Sequence, residues 1–216
     1  MARLNGFTKK QIIEVYRKMA LSRKLDDKML ILLKQGKSFF HIGASGHEGA
    51  QLAAAGMIKP GEDWSFPYYR DGAYCLGLGM TAREQLLSFL AKAADPNSGG
   101  RQMPQHYGHK DLRIVSQSSP TGTQFLQAVG CAMVCKMEKT KEVVYVSAGE
   151  GTTSQGDFHE ALNWASNAKA PVIFHIQDNE YAISTHRSEQ TASSIYDMTS
   201  GYGNLSRYDV DGTDFF

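Results

Sequence analysis
The chain has little of what marks several protein classes. It carries three cysteines in 216 residues, too few for a disulfide framework. Cys131 and Cys135 stand at i, i+4 in an apparent helix, where plain packing is the simpler explanation, and a reducing cytoplasm is the expected setting. No sign of charge dominates: 23 Lys and Arg stand against 22 Asp and Glu, a formal net charge of +1. That balance removes the electrostatic case for nucleic acid or an anionic membrane surface. No apolar run is long enough to span a bilayer. The N-terminus lacks a signal-peptide core, and its Lys and Arg are interleaved with Glu14, Asp26 and Asp27, unlike a transit peptide. Internal repeats, low-complexity tracts and flexible linkers are missing too. What remains is a globular composition, 42% hydrophobic, enough for one sizeable core and no more than two domains.

The informative stretch runs from Val143 to Ser184. Val143 to Val146 is an apolar, β-branched run and predicts a buried strand. Gly149-Glu150-Gly151 breaks it, a helix is expected from about Ser154 to Ala168, and a second strand from Val172 to Ile176 ends at Asp178-Asn179. A strand–helix–strand unit of this kind belongs to a parallel sheet with a right-handed crossover, so the expected class is α/β, a mainly parallel sheet flanked by helices. Ligands of such sheets sit beyond the carboxyl ends of the strands, where both polar clusters lie. Gly149 and Gly151 let backbone approach a phosphate, and the amides of Thr152 and Thr153 at a helix N-terminus suit an anion. Glu150 does not suit an anion unless a divalent cation lies between. Its carboxylate, the Asn179 amide oxygen and a backbone carbonyl are hard ligands, right for a Mg²⁺ that also holds phosphate oxygens. Asp178 could serve in place of Asn179, and spacing alone does not choose.

Gly-Glu-Gly and Asp-Asn are separated by 26 residues. This resembles the thiamine-diphosphate motif of Gly-Asp-Gly, a spacer of that length and Asn-Asn. The surrounding text, GEGTTSQGDFHEALNWA and NEYAIST-x-x-SEQ, is similar to the alpha subunit of the decarboxylating first component of 2-oxoacid dehydrogenase complexes, with the branched-chain (2-oxoisovalerate) type nearest. Glu150 stands where many members have Asp, although the branched-chain type commonly has Glu, and Asp178 replaces the first Asn of the motif. The resemblance covers the chain from about Leu21. It implies a thiamine-diphosphate-binding fold, the diphosphate half, at 41–216, preceded by an N-terminal helical segment at 1–40.

The resemblance also implies site residues. Gly149, Gly151 and Thr152 line the phosphates; Glu150, Asn179 and the Tyr181 carbonyl hold Mg²⁺; Ile183 lies near the pyrimidine. Tyr69 and Arg70 are carried over as cofactor contacts, with Arg70 as a fork for phosphate oxygens; Tyr68 replaces a Gln of the branched-chain type. Ser118, Pro120, Thr123 and Gln124 match potassium-binding positions. Ser119 and Thr121 match cofactor contacts, Thr121 in place of a larger apolar residue. No catalytic residue is assigned in this chain. The carboxylate that activates the pyrimidine and one active-site His belong to a beta subunit or fused beta half in an α2β2 assembly, which passes the acyl group to a lipoylated acyltransferase. The chain alone is therefore expected to be inactive.

The remaining text reads as scaffold. Thr8 to Gln35 predicts an amphipathic helix capped by Thr8 and ended by Gly36, with a break near Ala20-Ser22. Phe39 to Gly49 is Gly-rich, with His41, His47 and Glu48, and reads as a turn before an Ala-rich helix from about Glu48 to Met57. Thr81 to Glu84 fits a capping box for a helix reaching about Ala94. The loop from Asp95 to about Ser116 contains GGRQMPQHYG, similar to the family's text, with His106 in a positioning role. Hydroxyls from Ser118 to Thr123 precede a small-residue helix, Phe125 to Lys139. Ser188 to Thr199 reads as loop with a short helix, Leu205 to Val210 as a third strand, and Thr213-Asp214 as the cap of a helix. That helix stops at once, which predicts a C-terminally truncated sequence. Two other classes compete: a non-catalytic mononucleotide-binding domain and an inert fragment with an exposed apolar interface. Pyruvate and acetoin are the competing substrates within the family.

Overall fold
The computed structural model describes residues 3, 4 and 6–216. The backbone divides into two compact units, Met1–Pro60 with Tyr69–Leu112 and Gly212–Phe216, and Gly61–Tyr68 with Arg113–Asp211.

The first unit is helical apart from a small antiparallel pair, β1 (Arg3–Leu4) with β2 (Phe7–Thr8). Its long helix α1 (Lys9–Lys34) begins with a complete capping box. The Thr8 hydroxyl accepts the Gln11 N–H, and the Gln11 side chain accepts the Thr8 N–H at 2.9 Å, so two otherwise orphaned donors are answered. The helix runs without the break expected near Ala20-Ser22, because nothing there removes a backbone hydrogen bond. Ser22, Leu25 and Met29 form its buried stripe. It packs on α2 (Glu48–Ala55), α3 (Gly72–Leu78) and α4 (Ala82–Phe89). Gly77 permits a close approach of α3 to α2: a Cβ there would lie 2.4 Å from the Ala55 Cβ. Helix α4 has the expected Thr81–Glu84 capping box but ends short of Ala94, where Ala91 turns to a φ of 50°.

The second unit holds the sheet. β3 (Trp64–Phe66), β4 (Val144–Gly149) and β5 (Val172–Gln177) are parallel, in the order β3-β4-β5, with Gly149 opposite Gln177. α5 (Thr123–Met137) and α6 (Gly156–Ala168) close a core with Val144, Val146, Phe125, Phe158, Ala161 and Ala165. Phe125 and Phe158 are 5.0 Å apart between ring centroids and almost fully buried, worth roughly 1.5–3 kcal/mol each by area. The class is α/β with a parallel sheet flanked by helices. Beyond β5 come the hairpin β6 (Tyr181–Ala182) and β7 (Thr185–His186), then α7 (Arg187–Gln190) and α8 (Ile195–Met198). Leu205 to Val210 is not a strand: it pairs with no other strand among the described residues, and Tyr208 and Val210 are exposed. Thr213-Asp214 opens no helix either. Among the described residues no helix is long and apolar enough to cross a membrane.

Candidate functional site
The second unit brings most of the expected residues to the carboxyl ends of β4 and β5. After Gly149 the chain forms a 3₁₀ turn, Glu150–Ser154, before α6 begins at Gly156. The helix thus begins two residues beyond the approximate start expected at Ser154 and ends at Ala168 as expected. The cause is local: the Thr153 hydroxyl donates to the Glu150 carbonyl at 2.7 Å, and Gln155 is extended, with ψ of 140°. Glu150 and Thr152 are buried. Across the strand ends, the Asn179 N–H points to Glu150 Oε2 at 3.4 Å. The Asn179 side-chain oxygen accepts the Tyr181 N–H at 3.0 Å. Two hard oxygen groups from separate strand ends thus lie in one neighbourhood.

Asp178 does not compete for that role. One carboxylate oxygen is held by the Arg187 guanidinium and the other accepts the Glu180 N–H at 2.8 Å. Arg187 also reaches Glu180 at 3.4 Å. Its pKa is held above the ordinary value, first by the Asp178 hydrogen bond and then by that carboxylate's charge. Arg187 therefore accounts for an acid where the motif has an amide.

The two glycines differ. A Cβ on Gly149 would sit 3.7 Å from the Tyr68 ring, an ordinary contact, whereas one on Gly151 would meet the Ala182 Cβ at 2.6 Å. Gly151 is required by the packing of the hairpin. Ile183, at the hairpin tip, is 99% exposed with a φ of 59°. A β-branched residue in the left-handed region is a backbone outlier, and such strain concentrates at functional positions.

Ser118, Pro120 and Thr123 form one tight turn: the Ser118 and Thr123 hydroxyls bond to each other, and Thr123 donates to the Pro120 carbonyl at 3.2 Å. The hydroxyls do not cap α5 as expected, since Gly122, with a φ of 95°, takes the cap position. A Cβ on Gly122 would lie 3.1 Å from the Gln155 Cβ, so this turn adjoins the one after β4. The Gln124 amide donates to the Ser147 carbonyl at 3.1 Å. Ser119 and Thr121 are exposed on the same turn.

Tyr69 and Arg70 belong to the first unit. The Arg70 guanidinium lies over the Tyr69 ring, 5.4 Å from its centroid, and donates to the Gly43 carbonyl. The buried Gln51 amide holds the Arg70 carbonyl at 3.1 Å and accepts the Ala73 N–H. His106 is buried, its Nδ1 3.2 Å from the Pro104 carbonyl.

Two residues of this neighbourhood carried no assignment from sequence. Tyr68 is buried, and its N–H donates to the Ser147 hydroxyl at 3.2 Å. Gln190 donates to the Gly151 carbonyl at 2.6 Å; its signal was the Ser-Glu-Gln text after the hairpin. Among the described residues, no group of three or more His, Cys, Asp or Glu could hold a metal ion. A metal here would have to rest on mixed donors, one carboxylate with amide and backbone oxygens.

The strand ends thus carry an acidic turn after one parallel strand and an asparagine turn after the next. Residues 16–216 match the model of the dehydrogenase E1 component, and the chain belongs to that family. It is 46% identical over 210 residues to the 2-oxoisovalerate dehydrogenase subunit alpha of Bacillus subtilis, covering 97% of this chain and 63% of that relative. It is 36% identical over 215 residues to the mitochondrial 2-oxoisovalerate dehydrogenase subunit alpha of Homo sapiens, covering 96% of this chain and 46% of that protein. The corresponding subunit alpha 1 of Arabidopsis thaliana is also 36% identical, over 208 residues, 96% of this chain and 43% of that protein. The chain thus spans less than two thirds of the length of these curated relatives.

Proposed function
We propose that this chain is the diphosphate-binding part of the alpha subunit of a branched-chain 2-oxoacid dehydrogenase, the decarboxylating component that passes its acyl group to lipoyl on an acyltransferase. The E1 family depends on thiamine diphosphate, and the relatives named above are 2-oxoisovalerate dehydrogenase alpha subunits. The observation that carries the reading is the approach of Glu150 and Asn179 across the ends of β4 and β5.

The residues present fit the group. Glu150, the Asn179 side-chain oxygen and the Tyr181 carbonyl are hard oxygen donors suited to Mg²⁺. Gly149 leaves room beside the Tyr68 ring, and Gly149, Gly151 and Thr152 would line the phosphates. Tyr69, Arg70, Ser119 and Thr121 are assigned as further cofactor contacts from the family resemblance, and Ser118, Pro120, Thr123 and Gln124 as a potassium site. When bound, thiamine diphosphate supplies the nucleophilic carbon and the electron sink that decarboxylation of a 2-oxoacid needs. This chain's part would be to bind and orient: Glu150 and Asn179 would hold the metal, which would supply positive charge for the diphosphate, and Ile183 would offer an apolar side chain near the pyrimidine. The proton-handling groups come from a beta partner in an α2β2 assembly. A cytoplasmic location belongs to the same proposal, supported by the three free cysteines.

The test is a dye-acceptor assay. The protein carrying this chain, purified with its partner, should turn over 2-oxoisovalerate faster than pyruvate, and this 216-residue chain alone should give no turnover. Activity of the isolated chain would overturn the shared site, and a preference for pyruvate would overturn the substrate.

A further inference from the structure
The short helix α7 follows the hairpin, yet its side chains reach the turns after β4 and β5. Arg187 grips Asp178 and Glu180, the two residues that flank Asn179, and its own N–H donates to the Glu180 carbonyl at 2.8 Å. One turn further, Gln190 donates to the Gly151 carbonyl at 2.6 Å and to the Ser154 hydroxyl. Gly151 and Ser154 lie in the turn that carries Glu150. A single four-residue element therefore ties the asparagine turn to the glutamate turn. The helix is itself fixed: the His186 ring accepts the Ser188 N–H at 3.3 Å, and the Thr191 hydroxyl donates to the Arg187 carbonyl at 3.2 Å.

The asparagine turn needs such support. Asp178, Asn179 and Glu180 are all exposed, and Glu180 has a φ of 69°. A non-glycine residue in that region persists where its surroundings over-determine it. Ion pairs this exposed add little to global stability, so the consequence of the Arg187 grip is local geometry.

We infer that Arg187 and Gln190 are positioning residues that hold Asn179 against Glu150. The inference rests on the proposal above that those two residues share a metal, and it adds that the metal site's spacing is set from α7. Groups that orient metal ligands typically contribute 10- to 100-fold in affinity. Arg187→Ala and Gln190→Ala should each weaken Mg²⁺–thiamine diphosphate binding by roughly that factor, with the melting temperature near that of the parent chain. Arg187→Lys, which keeps the charge but not the fork, should recover part of the loss.

Hydrogen exchange of the unliganded chain provides a readout independent of the cofactor. Arg187→Ala should accelerate exchange at the Asn179 and Tyr181 amides while Val146, in β4, stays protected. Unchanged exchange at Asn179 in both alanine variants overturns the inference. Faster exchange at Asn179 in a chain that binds no Mg²⁺–thiamine diphosphate supports the staple and overturns the metal-site reading instead.

Discussion

Two buried glutamates sit in glycine-rich stretches of this chain, one in each unit, and they differ in what faces them. Glu48, at the start of α2, is met by a fork from Arg23 at 2.7 and 3.1 Å and by the Gly46 N–H at 2.8 Å. Glu150, after β4, is met across the sheet by a backbone N–H at 3.4 Å, next to an asparagine side chain. The first carboxylate is neutralised by the protein's own guanidinium and organises a loop. The second is the carboxylate proposed above to hold a metal ion. Composition alone does not separate them, because both are a Glu among glycines with hydroxyls or histidines near; the facing partner does.

The largest expected effect tests that contrast directly. Glu150→Ala should reduce Mg²⁺–thiamine diphosphate affinity by more than the roughly 100-fold upper range of outer-shell groups, with little change in stability. Glu48→Ala should do the reverse. It leaves the Gly46 N–H and the Arg23 fork without their acceptor, costing about 1–3 kcal/mol in urea denaturation with an unchanged dissociation constant. If Glu48→Ala abolishes binding and leaves stability intact, the division between the two is wrong.

The next effect concerns the glycines beside Glu150. Gly151→Ala drives a methyl group into Ala182 and should cost about 1–3 kcal/mol, whereas Gly149→Ala, with a nearest contact of 3.7 Å, should be far milder. Equal costs would remove the argument that the hairpin is seated on Gly151. Smaller still is Ile183→Gly. Relief of the left-handed conformation should stabilise the chain by about 1 kcal/mol, and loss of the apolar tip should weaken cofactor binding. A glycine variant that binds normally would take Ile183 out of the site.

The smallest effect is in pH dependence, in the first unit. Burial works to raise the Glu48 pKa, but the Arg23 and Gly46 hydrogen bonds outweigh it and hold the carboxyl below its ordinary value of 4.5. Asp26 is likewise opposed by burial and held below 3.8 by His41, Ser45 and Ala44. A folded-state pKa below the unfolded one means that the stabilisation is full above the unfolded pKa and lost as pH falls through the folded one. Stability measured from pH 6 down to about 3 should therefore decline, and less steeply in Glu48→Gln. A decline of equal slope in that variant would assign the acid sensitivity elsewhere.

Much of this was legible in the text because the determinants are local. Thr8 and Thr81 each announce a helix with a Gln or Glu three residues on, and both capping boxes form. The apolar, β-branched runs at 144–146 and 172–173 are strands as expected, the first buried and the second partly exposed, with Ile173 on the outside. What was not legible depends on partners distant in sequence. Trp64–Phe66 is too short for periodicity and becomes β3 by pairing with Val144–Val146, its register partners. Leu205 to Val210 reads as a strand but has no strand partner among the described residues. The Thr152-Thr153 pair reads as a helix start, and the Thr153 hydroxyl instead tightens the turn. At the site, the position at strand ends made Glu150 and the Asp178-Asn179 pair legible, and the family resemblance, not spacing, chose Asn179. Asp178 was ambiguous until Arg187, nine residues on, took its charge.

The direct test is calorimetric titration of this chain with thiamine diphosphate. The expected result is saturable binding with Mg²⁺ present, none with the metal chelated, and none in Glu150→Ala or Asn179→Ala. Undiminished binding without metal, or in either variant, would contradict the claim that these two side chains grip the diphosphate through a shared ion.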